Sequence, residues 1–526
     1  MVKIKLHELA AGVRFAAGLP GFFINRTTPE QAYKKLGARQ KRRSDDFLLF
    51  VEETIYRKPK SPYFKLLDHA AVQFDDLRSL VFKKGVNGCL KTLFKEGVYL
   101  TLEEFKGRVP VVRGTLKFSV NPSALRNLLS LPSFWTQSSG SSGSSVSVPL
   151  NLPFVKERSI DHCALLDSRG GLGWTHAIWG VPGFADTLRL LELTSCGISP
   201  DRWFSQMDFN TSDLHPRYRL GSVLLRFMAR LSGPPVPAPQ HVPWNDPLPI
   251  VRWLNLSLER GEIPHLFTFV SPGVRICQTA LSQKIEIAGS QFTVSGEPFT
   301  RARQKIFLEA GAAALPRMLA SECGYIGYGC LKPRSVDDMH VIDDMNTVIA
   351  VEEKDAAEAL PANSVLISSQ RLRAPFVLLN VSLGDQAIVD QRSCGCPLEQ
   401  LGWTTHISRV RSFKRLTAVG MTFTDEEVER ILEDILPARF GGSPLDYQII
   451  ESEDSDGDPR ITLVVSPSVG SVDEAALVTT FIESLGFGSG SERIMGHVWK
   501  TGNLVSIKRD FPDRTVSGKV RHVITE

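Results

Sequence analysis

Phe134-Trp135-Thr136-Gln137-Ser138-Ser139-Gly140-Ser141-Ser142-Gly143-Ser144-Ser145-Val146-Ser147-Val148 is the stretch on which the reading of the fold turns. Composition alone would make its middle a flexible glycine/serine linker. The flanks argue otherwise. An aromatic pair precedes the tract and Val146, Val148 and Leu150 alternate after it, so it reads as a tight loop joining two strands inside one domain. Gly140 and Gly143 let the backbone turn sharply and aim successive amide hydrogens at one point, and the serine hydroxyls beside them add donors that a phosphate accepts. Ser/Gly tracts carry no unique geometry by themselves, so the surroundings decide.

Upstream, Thr28 to Phe105 reads as mainly helical, with Phe47, Leu48, Val51 and Ile55 recurring at three and four residues among charged ones. Downstream, Phe184 to Leu193 is an amphipathic helix and Gly233 to Pro239 an extended connector. Leu266 to Val270, Lys284 to Ile287 and Gln291 to Val294 read as strands and Arg301 to Ala314 as a helix, an alternation that predicts an α/β core. Past Arg411 come a helix at Asp425 to Ile435, strands at Tyr447 to Glu451 and Arg460 to Val465, and a helix at Asp473 to Leu485. The acidic run Glu451 to Asp458 forms the hairpin turn between those strands; as a calcium loop it lacks the terminal Glu. The expected organisation is a large multi-lobed α/β domain over 1–410, with residues 1–60 as a helical extension, and a small α+β domain over 411–526.

The whole chain has 526 residues, 42% apolar and 22% charged, which suits a globular protein of two or more domains and excludes a disordered or collagen-like one. Lys plus Arg number 61 against 57 Asp plus Glu, a balance that points to no polyanion-binding surface and to no nucleic acid. No stretch approaches the roughly 20 apolar residues of a membrane span. Arg14 splits the apolar opening segment, which is read as mature protein, and eight cysteines are too few for a disulfide scaffold. A cytoplasmic location is the expectation.

From about Ser61 onward the sequence resembles the adenylate-forming ligases, in particular the phenylacetate-coenzyme A ligase branch and the acyl-protein synthetases of bacterial bioluminescence. Ser138-Ser139-Gly140-Ser141-Ser142-Gly143 matches that family's Ser-Ser-Gly-Thr-Thr-Gly-Lys phosphate loop, with Ser144 in place of the Lys. Gly296-Glu297-Pro298-Phe299-Thr300 resembles the segment whose backbone lines the adenine pocket, and Ala320-Ser321-Glu322 the segment whose carboxylate helps hold magnesium on ATP. The family's adenine-stacking Tyr falls at Met318. Asp385, after Leu383-Gly384, matches the Asp that accepts hydrogen bonds from the ribose hydroxyls, and Arg411 the Arg at the boundary with a mobile C-terminal domain. Phe413-Lys414 replaces the acidic hinge pair, with Lys414 the hinge choice. Ser517-Gly518-Lys519 resembles the closing signature, whose Lys reaches between the carboxylate and the α-phosphate as charge builds.

The resemblance implies ATP-dependent activation of a carboxylic acid through an acyl- or aryl-adenylate and transfer to a thiol, with ATP and Mg²⁺ required and coenzyme A the foremost acceptor. Lys519, Glu322 and Arg411 would be the catalytic set. An acyl-AMP ligase that loads a carrier protein or a protein cysteine is an alternative, as is a non-catalytic nucleotide- or acyl-binding relative; the resemblance also leaves room for a homodimer. Cys330, His340, Cys394 and Cys396 would make a closed tetrahedral zinc site of three thiolates and one imidazole. Unmetallated buried thiols and a Cys nucleophile carrying an acyl group are the competing readings. His176, between Trp174 and Trp179, reads either as a residue between acyl and coenzyme A channels or as a satisfied histidine in an apolar wall.

Overall fold

A computed structural model describes residues 6–513 and 523–525, apart from 128, 130, 138–146, 211–213, 215, 358, 413–414, 419–420, 425–427, 429, 443–445, 454–458, 486–498 and 500–503. The amino-terminal region is helical, as its spacing predicts, through Leu6–Ile24, Pro29–Lys41, Arg43–Val51, Pro62–His69 and Phe74–Lys95. Thr28 caps the second of these: Gln31 N donates to its hydroxyl at 3.3 Å while Thr28 N donates to the Gln31 side chain at 3.5 Å, which satisfies two otherwise orphaned amides. The apolar faces of these helices, with Leu36, Phe47, Phe50 and Leu90, share one core with Tyr325, Leu366, Leu378 and Trp403.

That core lies under a twelve-stranded sheet. Its order is Asn346–Ala350, Ser364–Ser369, Val381–Gln391, Thr405–Ser412, Met339–Val341, Gly324–Gly329, Ala313–Ala320, Gln291–Ser295, Pro264–Phe269, Thr175–Gly180, Arg202–Ser205, Pro239–His241. The strands from Ala313–Ala320 to the last are parallel and the others antiparallel. Parallel strands are covered on both faces, which is why Pro264–Phe269 is buried at all positions but its last and reads as an apolar run rather than an alternating one. The order in which successive strands are laid across the parallel part reverses between Thr175–Gly180 and Pro264–Phe269. In sheets of this kind ligands bind outside the carboxyl ends at that reversal, here Gly180 and Phe269.

Phe134–Gln137 pairs antiparallel with Ser147–Leu150, so the two strands expected around the serine-rich tract are present; the tract itself lies outside the described residues. Two elements differ from the sequence reading. Lys284 to Ile287 is not a strand: Lys284 caps the preceding helix in the left-handed region at φ +55°, and the segment leads into Gln291–Ser295 without a ladder of its own. The helix expected over Arg301 to Ala314 ends at Glu309, because Gly311 takes φ +67° and the chain turns straight into the Ala313–Ala320 strand.

The carboxyl-terminal part has its own sheet, in the order Val505–Arg509, Pro459–Val465, Tyr447–Glu453, Val523–Thr525, and its own core of Ile431, Leu432, Ile449, Leu463, Leu477 and Phe481. Pro459–Val465 and Tyr447–Glu453 form the hairpin expected around the acidic run. Trp244 from the large part is buried in this second core, and Val181 packs against it. Among the described residues no helix is long and apolar enough to cross a membrane.

Candidate functional site

The Gln291–Ser295 strand ends in Gly296, whose φ of +86° is a conformation that suits glycine. The next residue, Glu297, is fixed rather than free. Its carboxylate pairs with Arg303 at 3.3 Å, with both side chains almost wholly buried, and accepts hydrogen bonds from the amide and hydroxyl of Ser271. Arg303 also donates to the Pro298 carbonyl at 2.8 Å, and Thr300 caps the Arg301–Glu309 helix. The Gly296-Glu297-Pro298 turn, whose backbone the resemblance assigns to the adenine pocket, is therefore held from behind by the Glu297 side chain.

The parallel ladder sets Arg317 opposite Ser295. Met318 thus lies beside the Gly296 turn, at a point where the Ala313–Ala320 strand has a bulge. Two residues past that strand, in the turn to Gly324–Gly329, stands Glu322, 9% exposed, whose carboxylate makes no hydrogen bond or ion pair with another described residue. Beyond Gly324–Gly329 and Met339–Val341 in the sheet order come Thr405–Ser412 and then Val381–Gln391, where Asp385 pairs with Ser412 and Gln386 with Arg411, so Asp385 and Arg411 are neighbours on adjacent strands. Gly384 before Asp385 has φ +94°. Arg411 pairs with Asp337 at 3.6 Å. The structure sets Met318 beside the Gly296-Glu297-Pro298 turn, with Glu322 four residues further along the chain, and Asp385 beside Arg411. Ser138, Ser139, Gly140, Ser141, Ser142, Gly143, Lys414 and Lys519 lie outside the described residues.

The sequence reading missed a charged network buried beside the carboxyl ends of the parallel strands. Arg158 pairs with Glu192 at 2.7 Å, Tyr325 donates to Glu192 at 2.7 Å, and Arg317 donates to the Tyr325 hydroxyl at 3.1 Å. Burial works against the ionised form of Glu192, yet Arg158, His162 and Arg317 outweigh it and hold its carboxyl below the ordinary range. Arg189, on the Phe184–Ser195 helix, donates to Ser295 Oγ at 3.1 Å and lies over the Phe269 ring, while its Nη1 is buried without a partner. Burial pushes the Arg189 guanidinium down to about 10 and the Asp186 carboxyl up to about 7. No local pattern marks these residues, since they come from four separate elements that only the fold assembles.

His176 resolves to the second of its two readings. It is 1% exposed, bonded to Gly171 O at 2.9 Å and to His265 Nδ1 at 2.9 Å, and burial pushes it down to about 3. It sits near the amino end of its strand, away from the crevice. Trp179 is likewise core, with its Nε1 on the Val242 carbonyl.

Cys330, His340, Cys394 and Cys396 do come together: one ligand atom from each lies within 4.8 Å of all the others. His340 Nε2 is 3.1 Å from Cys396 Sγ and 3.6 Å from Cys394 Sγ, close to the edge of about 3.5 Å that tetrahedral zinc with one imidazole and one thiolate requires. Its other nitrogen, Nδ1, sits 2.7 Å from the Trp403 carbonyl, which fixes the tautomer that leaves Nε2 facing the sulfurs. Backbone amides of Lys332 and Cys396 donate to Cys330 and Cys394 sulfurs at 3.4 Å each. Gly395, at φ +67°, lets the Cys-Gly-Cys turn present both thiols to one point. The donor set, the Trp403 carbonyl behind His340 and the amides to sulfur all fit a structural zinc ion. A second grouping of Cys330, Asp338 and His406 is already committed to protein partners, because Asp338 is paired with Arg392 and His406.

No protein-family model and no curated protein matches the chain. Among solved structures, 2-hydroxyisobutyryl-CoA ligase in complex with 2-HIB-AMP and CoA in the thioesterification state is similar to it at 14% identity, over 93% of this chain and 90% of that one, with a TM-score of 0.54. The o-succinylbenzoate CoA synthetase of Bacillus subtilis aligns at 12% identity over 74% of this chain and 68% of its own, TM-score 0.41. The amide bond synthetase of Marinactinospora thermotolerans aligns at 11% over 77% and 70%, TM-score 0.39.

Proposed function

We propose that this chain, which has the fold of the adenylate-forming ligases, activates a carboxylic acid with ATP and passes the acyl group to a thiol, foremost that of coenzyme A. The observation that carries this reading is the register of Arg317 opposite Ser295, which lays Met318 beside the Gly296 turn; the Glu322 carboxylate, four residues further along the chain, has no hydrogen-bond or ion-pair partner among the described residues. An apolar side chain against a flat glycine turn suits a purine, and an oxygen ligand with no protein partner suits a hard cation. Asp385 is assigned to the ribose hydroxyls and Arg411 to the boundary, near 410–411, between a large AMP-binding domain and a small mobile one.

In the first step a carboxylate oxygen attacks the α-phosphorus, the bond to the bridging oxygen breaks, and pyrophosphate leaves. In the second a thiolate attacks the acyl carbon and AMP leaves. Lys519 would offset the charge that builds between carboxylate and phosphate, and Ser138 to Gly143 would hold the leaving group by backbone amides. Magnesium, when bound at Glu322, would supply further charge neutralisation. The acid itself is assigned to the crevice outside Gly180 and Phe269, where Arg189 sits with an unpartnered nitrogen. Zinc held by Cys330, His340, Cys394 and Cys396 would be structural, with all four positions taken by protein and none open for catalysis.

The test is carboxylate-dependent exchange of labelled pyrophosphate into ATP across a panel of acids. The expected result is exchange with at least one acid, reduced at least 100-fold in Lys519→Ala. Absence of exchange with every acid at millimolar ATP overturns the proposal, and equal exchange in the variant removes Lys519 from it. Product thioester assayed with coenzyme A and with a pantetheinylated carrier protein identifies the acceptor.

A further inference from the structure

On the face formed by the amino-terminal helices lies a pocket of about 600 Å³, between Leu6–Ile24, Pro29–Lys41, the start of Leu152–Asp167 and the 371–373 segment. That volume is in the range of small-molecule sites. Among the described residues assigned to the adenylate, none of Gly296, Glu297, Glu322, Asp385 or Arg411 lines it.

Its walls carry Lys35, Arg39, Arg42, Lys156, Arg371 and Arg373 against one lining carboxylate, Glu157. Part of this charge is spoken for. Arg39 pairs with Asp161 at 3.0 Å and Asp344 at 3.2 Å, Arg371 with Asp46 at 3.2 Å, and Arg42 more loosely with Asp46 at 3.7 Å. Even so, six cations stand against four carboxylates. Lys35, Lys156 and Arg373 form no ion pair among the described residues. Lys156 donates to the Asn25 carbonyl and to Ser195 Oγ, the latter at 2.7 Å, and lies over the Phe22 ring. Burial first, with Lys35 adding to it, pushes the Lys156 amine down to about 8. Burial raises the Glu157 carboxyl above the ordinary range despite three nearby guanidinium groups, and its Oε2 is buried without a partner.

The remaining wall is apolar, from Phe22, Leu152, Pro153 and Ile160. Gly21 opens it further, since a Cβ there would meet nothing within 4 Å. We propose that this pocket binds an organic phosphate, a compact group of two or more negative charges joined to a flat or apolar body, such as a nucleoside diphosphate. Forked guanidinium groups bind phosphate oxygens through two parallel hydrogen bonds, and a dianion relieves the repulsion between Lys35 and Lys156.

The experiment is amine acetylation of the full-length protein at pH 8, with the modification of Lys35 and Lys156 followed by peptide mass spectrometry, without and with inorganic pyrophosphate or ADP. Expected are at least five-fold slower modification with ADP, weaker protection with pyrophosphate, which lacks the organic body, and loss of protection in Arg42→Ala/Arg373→Ala. Gly21→Leu, which grows into the empty space, should lose protection by ADP at an unchanged unfolding temperature. Protection by neither ligand, or equal protection in both variants, overturns the proposal. Protection by pyrophosphate equal to that by ADP overturns the organic part of it. The exchange assay reads the adenylate site independently, and both variants are expected to retain parental exchange.

Discussion

Glu192 faces Arg158 at 2.7 Å and Arg317 at 4.0 Å with no exposed surface, so it is the charge that lets two guanidinium groups stay buried. Removing one partner of such a pair leaves the other uncompensated, at a cost of about 3–5 kcal/mol. Glu192→Gln should lower the urea midpoint accordingly, and an unchanged midpoint would show that the cluster is not held by charge. Because the Glu192 carboxyl is held below its ordinary range, its contribution is present above the unfolded pKa of about 4.3 and is lost as pH falls through the lower folded value. Asp186 has the opposite sign. Its carboxyl is pushed up to about 7 by burial, so the folded state holds a proton that the unfolded state has released above about 4, and stability falls as pH rises across that window. Asp186→Asn keeps an acceptor for Trp203 Nε1 and should gain in melting temperature over the parent at pH 8 relative to pH 5; a pH-independent difference would sink the assignment.

At the scale of elements, the cysteine and histidine ligands tie three pieces of chain. Cys330 follows the Gly324–Gly329 strand, His340 lies within Met339–Val341, and Cys394 and Cys396 come from the loop between Val381–Gln391 and Thr405–Ser412. Metal analysis of purified protein should give one zinc per chain, and Cys396→Ser should lose it and melt several degrees lower; a metal-free parent of unchanged stability after chelation argues for plain buried thiols. The meeting of these four residues was legible in the sequence through the resemblance, and the strands around the serine tract through the aromatic pair and the alternating apolar residues that flank it. The elements misread had no such marker. Lys284 to Ile287 alternates like a strand but has no neighbour to pair with, and nothing in Arg301 to Ala314 short of Gly311 signals that the helix yields to a strand. Arg158, Arg189, Glu192 and Tyr325 are separated by up to 167 positions, so the sequence carries no trace of their meeting.

Over the whole molecule, two sheets with separate cores meet where Trp244 enters the smaller core. Truncating a buried indole costs about 3–5 kcal/mol, and here that loss falls on the junction between the parts. Trp244→Ala should speed release of a fragment beginning near residue 411 under limited proteolysis while the large part melts as before; equal cleavage rates would mean the junction is held elsewhere. Val181 packs against the same small core and directly follows Gly180, the carboxyl end at which the parallel strands reverse. Any swing of the cap must therefore break contact with the rim of the very cleft assigned to the acid, so that departure of the cap and loosening of its guest become one mechanical event.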